Sequence, residues 1–178
     1  MENIIKILKV GKPEKKIKTL ETLHNTNELK ILEQIILRLS DDSIQVRGEA
    51  FNALLLNQNQ ISKILIDNLN SSDKNIRGFT SLVLANRNEK SAIPEITKLV
   101  NNEHGMVRSC AIGSLGYLHA EKITEIILKS VTDSNLEVQK SALNVAIQTN
   151  IFVSKEKIKE ISKNDDPQIQ NLLLKLKK

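Results

Sequence analysis

Only a few side chains in this sequence are of the types that do chemistry. There are three histidines (His24, His104 and His119), one cysteine (Cys110) and two adjacent carboxylate pairs, Asp41-Asp42 and Asp165-Asp166. A metal centre needs ligands at helical or hairpin spacing, such as His-x-x-x-His or Cys-x-x-Cys, and neither pattern occurs. The histidines therefore read as surface or capping residues. A nucleophilic thiol needs an activating base, and no histidine stands at helical spacing from Cys110, so it reads as an ordinary free thiol. Paired carboxylates do general acid–base work only in a shaped, desolvated pocket. Both pairs here lie in short polar segments, where a capping role is simpler. The stretch GSLG, residues 113–116, lacks the signature of a phosphate loop and reads as helix interior, with glycine allowing close packing. No catalytic residue, metal or cofactor is expected.

The elements that carry these residues follow a period. LSDDSIQVRGEAFNALLL is followed by LNSSDKNIRGFTSLVLAN, VNNEHGMVRSCAIGSLGYL, VTDSNLEVQKSALNVAIQ and SKNDDPQIQNLLLKLKK. With Arg47 as marker, its equivalents are Arg77, Arg108, Gln139 and Gln170, at spacings of 30, 31, 31 and 31. A degenerate first copy places Lys16 at the marker, with Lys18 nearly as good. Such a period predicts a helical repeat array with boundaries near 1–27, 28–58, 59–88, 89–119, 120–150 and 151–178 in one domain, 1–178. Within each copy an amphipathic first helix precedes the marker, and Pro94 suits the first turn of one of them. A second helix follows. Val46, Ala50, Phe51 and Leu54 share its buried face, as do Val107, Ala111, Ile112 and Leu115. The acids before each second helix (Asp41 and Asp42, Ser71 to Asp73, Asn101 to Glu103, Asp133 to Asn135, Asn164 to Asp166) are placed to cap it, each cap being worth roughly 1 kcal/mol.

Composition agrees. Of 178 residues, 40% are hydrophobic but only 2% aromatic, so the core is built from Leu, Ile, Val and Ala. Six Gly and three Pro are few for an all-β chain with many turns. One cysteine permits no internal disulfide, as in a reducing compartment. The N-terminus lacks a signal-peptide pattern and no stretch is long enough to span a bilayer, so a cytoplasmic location is expected. The net charge of +5 sits at the ends: residues 1–30 and 151–178 carry +3 each, and residues 31–150 carry −1. That does not form the continuous basic stripe of a nucleic-acid binder.

The unit of a helix such as AIPEITKLV, a turn with Asp or Asn, and then V-R-x-x-A-x-x-x-L resembles HEAT repeats, closest to the short repeats of the phycobilisome-lyase type. The copy SAIPEITKLVNNEHGMVRSCAIGSLGYL fits best. Lys15 replaces the apolar residue before the first marker, and Gln replaces Arg at 139 and 170. The resemblance implies an all-α, right-handed solenoid of about six helical hairpins. It implies that Arg47, Arg77 and Arg108 are structural, pairing with an acid or carbonyl of a neighbouring repeat, and that Gln139 and Gln170 hold the last repeats less firmly. The iron-dependent hydroxylases of this fold use repeated His-Glu pairs, which are absent here. Its DNA glycosylases use aromatics on a basic concave surface, and here there is no Trp and the centre is near neutral.

In such arrays the second helices line the concave, partner-binding face. Positions −2, +2, +5 and +9 from the marker form a stripe opposite the buried face. Its candidate partner-binding residues are Glu49, Asn52, Phe79, Leu82, Met106, Tyr117, Ser141 and Asn144. The centre carries large apolar side chains (Phe79, Leu82, Met106, Tyr117) where water is expected, which marks a protein-binding surface. The expected function is a non-enzymatic scaffold or adaptor binding a protein or peptide. The alternatives are a regulatory or lyase-like subunit of an enzyme complex, or a nucleic-acid binder using its Lys-rich ends, which otherwise serve as solubilising caps. The sequence implies no oligomeric state.

Overall fold

The computed structural model describes residues 1–176, and these are helices joined by short turns, with no strand among them. The chain forms two compact units, Met1–Ala92 and Ile93–Lys178. The first holds α1 (Glu2–Val10), α2 (Pro13–Leu20), α3 (Leu29–Leu37), α4 (Ile44–Leu56), α5 (Ser62–Asp67) and α6 (Lys74–Asn86). The second holds α7 (Ile93–Lys98), α8 (Gly105–Tyr117), α9 (Ile123–Ser130), α10 (Leu136–Gln148), α11 (Lys155–Ile161) and α12 (Pro167–Leu176). Odd-numbered helices are the first members of hairpins and even-numbered ones the second. Pro94 lies in the first turn of α7, as its missing N–H requires. Of the C-terminal KLKK, Lys177 and Lys178 lie outside the described residues.

Every second helix begins three residues before its marker: Pro13, Ile44, Lys74, Gly105, Leu136 and Pro167 precede Lys16, Arg47, Arg77, Arg108, Gln139 and Gln170. This register selects Lys16, not Lys18, in the degenerate copy. In each second helix from α4 to α12 the residues one before and three after the marker are buried. Val46, Ala50 and Leu54 have no exposure, nor do Val107, Ala111, Ile112 and Leu115. Phe51 is only half-buried, for a reason that concerns the surface described below. In α6 the same face is Ile76, Thr80, Ser81 and Leu84, all buried, with Ser81 Oγ donating to Gly78 O at 2.7 Å.

Three second helices end alike. Asn88, His119 and Asn150 adopt φ of 56°, 53° and 55°, each eleven residues past its marker. The left-handed turn lets the next N–H reach back into the helix: Glu89 to Leu84 O (3.0 Å), Ala120 to Leu115 O (3.1 Å) and Ile151 to Ala146 O (2.9 Å). That satisfies carbonyls the helix end would otherwise leave open, and asparagine tolerates the conformation better than most residues. His119 is thus the left-handed residue just past Leu118, the C-cap of α8.

Candidate partner-binding surface

The turn before each second helix from α4 to α12 is wired the same way, and that wiring sets the direction of the helix and its exposed side. Six residues before the marker stand Asp41, Ser71, Asn102, Asp133 and Asn164. The side chain of each accepts the backbone N–H two residues on, at 3.1 Å (Ser43), 3.2 Å (Asp73), 3.1 Å (His104), 2.8 Å (Asn135) and 2.9 Å (Asp166). Its carbonyl accepts from the marker: Arg47 to Asp41 O (2.7 Å), Arg77 to Ser71 O (2.8 Å), Arg108 to Asn102 O (2.8 Å), Gln139 to Asp133 O (2.6 Å) and Gln170 to Asn164 O (2.7 Å). The recurring bond of Arg47, Arg77 and Arg108 is therefore to the turn of their own hairpin. Glutamine keeps that bond without the charge, because its amide supplies the same N–H donor.

The caps stand one step further on. Asp73, Asn135 and Asp166 accept N–H groups from the first turns of α6, α10 and α12. Before α4 the cap is Ser43, accepting from Val46 N–H at 3.4 Å, so Asp41 and Asp42 are not themselves the N-cap. Before α8 the N-cap is His104, whose side chain makes no capping bond; Asn102 only holds its N–H.

Aspartate at the position six before the marker adds a bond between hairpins. Lys16 Nζ reaches Asp41 Oδ2 at 2.6 Å, and Arg108 holds Asp133 through Nε (3.0 Å) and Nη2 (2.7 Å). The cap aspartates add others: Ser40 Oγ to Asp73 Oδ2 at 2.6 Å and Lys140 Nζ to Asp166 Oδ2 at 3.2 Å. Burial pushes the Asp133 carboxyl up, but the bonds from Arg108 and Asn135 N–H outweigh it and hold it below the usual carboxylate range. Asp41 follows the same balance, with Lys16 and Ser43 N–H opposing burial, and Asp73 does so through Ser40 and the N–H groups of Ile76 and Asn75. At the opposite end of the hairpins sits a residue with no periodic signature. Arg87 donates from Nη1 to the carbonyls of Leu54 (3.2 Å) and Asn57, and from Nη2 to Asn59 O at 3.1 Å, while Asn57 donates to Thr26 O at 2.8 Å.

These bonds place Asp41, Asp133 and Asp166 in turns and in contacts between hairpins. Burial pushes the Cys110 thiol up to about 11, and its Sγ lies 3.7 Å from Met106 Sδ, so it is a poor nucleophile. His24 lies against Glu21 O and His104 against Glu103. No group of three or more His, Cys, Asp or Glu among the described residues is arranged to hold a metal.

The predicted stripe divides between the two units. In the first, Asn52 is exposed while Glu49, Phe79 and Leu82 are half-buried. In the second, Tyr117 is 58% exposed, Asn144 is exposed, and Met106 and Ser141 are half-buried. The apolar residues are thus less open to water than their register alone suggests, apart from Tyr117.

The first unit opens a groove between α4 and α6. Its volume is about 400 Å³, and it is lined by Ile44, Arg47, Gly48, Phe51, Asn52, Phe79 and Leu82. Ile44 is 72% exposed at its rim, and a Cβ built on Gly48 would meet nothing within 4 Å. In the second unit α8 and α10 close on each other. A Cβ on Gly116 would lie 2.6 Å from Val145 Cγ1, one on Gly113 would lie 3.6 Å from Ser141 Oγ, and Ser141 Oγ donates to Ser109 O at 2.9 Å. Ser109 Oγ in turn donates to Glu137 O at 3.2 Å. Ser141 is therefore spent on packing two helices together.

Comparison with known proteins fits this hairpin geometry. Residues 62–149 match the HEAT-repeat family model. Those residues resemble HEAT repeats. No curated protein matches the sequence. Among solved structures, the CpcE–CpcF complex of phycocyanin lyase from Nostoc sp. PCC7120 is similar with a TM-score of 0.66 and 17% identity, over 83% of this chain and 98% of that one. A designed armadillo repeat protein in complex with the peptide (KR)4 is similar with a TM-score of 0.55 and 16% identity, over 98% and 96%. A structure concerned with TOG–tubulin binding specificity is similar with a TM-score of 0.54 and 15% identity, over 99% and 82%. At these identities the likeness establishes the fold: helical hairpins of the HEAT and armadillo solenoid type. No helix among the described residues is long and apolar enough to cross a membrane.

Proposed function

We propose that the protein is a non-enzymatic interaction scaffold that binds a protein or peptide through the exposed side of its second helices. The observation that carries this reading is the α4–α6 groove, where half-buried Phe51, Phe79 and Leu82 open to solvent beside the exposed Ile44. An accessible apolar surface of this kind is a cost in water unless something covers it. Binding of peptide or protein by structures of the same fold supports it, since one neighbour holds (KR)4 and another concerns TOG–tubulin binding. Partner-binding residues by this reading are Phe79, Leu82 and Asn52 in the first unit and Tyr117, Met106 and Asn144 in the second, with Glu49 at the edge. Ser141 contributes only through packing.

The test is affinity capture from the native host with wild type and with Phe79→Ala plus Tyr117→Ala. Specific partners should be lost from the double variant while its thermal unfolding stays cooperative. Full retention of every partner overturns the reading. A second reading, a regulatory or lyase-like subunit of an enzyme complex, is favoured by the likeness to the phycocyanin lyase complex. It calls for a captured partner that is itself a subunit of the same enzyme and whose activity depends on this chain.

A further inference from the structure

Arg47 uses only one nitrogen of its guanidinium, and it lines the α4–α6 groove. What it leaves unused rests on the scaffold reading for its meaning and names the chemistry of the partner. Arg47 and Arg108 are held alike through Nη1. For Arg47 the acceptors are the carbonyls of Asp41 (2.7 Å) and Asp42 (3.2 Å), and for Arg108 those of Asn102 (2.8 Å) and Glu103 (3.1 Å). They part at the other edge. Arg108 gives Nε and Nη2 to the two carboxylate oxygens of Asp133, at 3.0 and 2.7 Å. Arg47 has no such acid, because the residue six before the next marker is Ser71. Among the described residues its Nε and Nη2 make no hydrogen bond or ion pair, and neither atom is buried. The other markers leave no such charge. Lys16 meets Asp41, Gln139 and Gln170 are neutral, and Arg77 is buried.

An edge of one Nε–H and one Nη–H matches a carboxylate, which takes both bonds in parallel. The surroundings favour an anion. No acid is among the seven residues that line the groove. Ser43 takes only the Val46 N–H at the start of α4, whereas Asp73 takes two at the start of α6, so the N–H groups of Ile44 and Gln45 stay open and their positive field is unquenched. Gly48 leaves the groove floor next to Arg47 bare, since a Cβ there would meet nothing within 4 Å. Phe51, Phe79 and Leu82 supply apolar wall around it. We infer that the groove takes an acidic segment of a partner protein, with an Asp or Glu carboxylate on the Nε–Nη2 edge of Arg47 and a neighbouring apolar side chain against Phe51, Phe79 and Leu82. Arg108 and Asp133 make that two-point contact within the same molecule. The acid fixes the register of the segment, and the apolar side chain covers the wall.

The test uses the full chain as bait for a display library of random peptides, with two variants as counter-selection. Arg47→Gln removes the charge and keeps the turn, because Gln139 and Gln170 make the same carbonyl bond at 2.6 and 2.7 Å. Ser71→Asp puts a tethered carboxylate at the position Asp133 holds after Arg108, and it can still accept the N–H two residues on, as Asp41 and Asp133 do. The expected result is enrichment of peptides with Asp or Glu beside an apolar residue, which bind both variants about tenfold or more weakly than wild type. Enrichment of basic or uncharged peptides overturns the inference. So do acidic peptides whose binding Arg47→Gln leaves unchanged, which would relocate the site but leave the scaffold reading standing. An unenriched library overturns it too, and the scaffold reading then rests on affinity capture from the host. Self-association abolished by Arg47→Gln would make a second copy the occupant and overturn it as stated.

Discussion

At matching positions of the repeat, α4 and α6 carry Leu55 and Phe79 where α8 and α10 carry Gly116 and Ser141. Even a methyl group at Gly116 would collide with Val145, so the approach α8 makes to α10 is closed to any helix with leucine at that place. Small residues therefore draw α8 and α10 together, and a serine ladder from Ser141 to Ser109 to Glu137 crosses between them. Bulky residues hold α4 and α6 apart and leave a groove with Phe51, Phe79 and Leu82 on its walls. Two or three side chains decide whether a pair of neighbouring repeats offers an internal joint or an external surface. On the other side of the same helices the leucine seven residues past the marker is buried alike in α4, α6 and α8.

That shared core gives the largest expected effect. Leu54 and Leu115 occupy the same position in α4 and α8 and are fully buried. Leu54→Ala and Leu115→Ala should each cost ~2–5 kcal/mol in denaturant unfolding. Unequal costs would mean that the open and closed pairs differ in their cores as well as at their surface.

Glycine gives the sharper contrast, with opposite signs. Gly116→Ala should cost about 1–3 kcal/mol through overpacking against Val145, and Val145→Ala in the same chain should recover much of that. Gly48→Ala should raise stability by up to about 1 kcal/mol, since it gains helix propensity and meets no atom. If Gly48→Ala destabilises, the groove floor is not open and the comparison fails.

The smallest effect is in the acid limb of the stability curve. Asp41, Asp73 and Asp133 have carboxyl groups below the usual range in the folded protein. The unfolded chain therefore takes up protons first as pH falls. The stability these groups contribute is complete above about pH 4, the ordinary carboxylate value, and is lost as pH drops through their folded values. Asp133 is held by a guanidinium and Asp73 by a serine hydroxyl. Arg108→Gln should flatten the acid limb, whereas Ser40→Ala should change it less. Equal effects would show that the charge on Arg108 adds nothing beyond the hydrogen bond.

The hairpins, their register and their buried faces were legible in the sequence because they repeat. Val107, Ala111, Ile112 and Leu115 are found by spacing alone. The wiring of the turns was only half legible. Aspartate, serine and asparagine announce a cap, but whether Asp41 or Ser43 holds the N–H depends on the path of the backbone, which spacing does not encode. Arg47, Arg77 and Arg108 stood out by their period, yet period does not say that their constant partner is a carbonyl of their own turn. Arg87 was invisible because it occurs once. The surface was legible as composition: Phe79, Leu82, Met106 and Tyr117 are visibly apolar. How far each is covered depends on the distance between neighbouring helices, and the glycines and serines that set it carry no obvious sign of doing so.

Aspartate at 41 and 133 bonds both to its own hairpin and to the one before. Its carbonyl and one carboxylate oxygen complete the turn of its own hairpin, and the carboxylate also greets the basic residue of the hairpin before. A block of 31 residues cut at these turns carries all the donors and acceptors its turn needs and asks its predecessor only for a cation. Gene duplication could lengthen or shorten such a chain by whole blocks without rewiring any loop, and a block that lost its arginine to glutamine would still close its own turn.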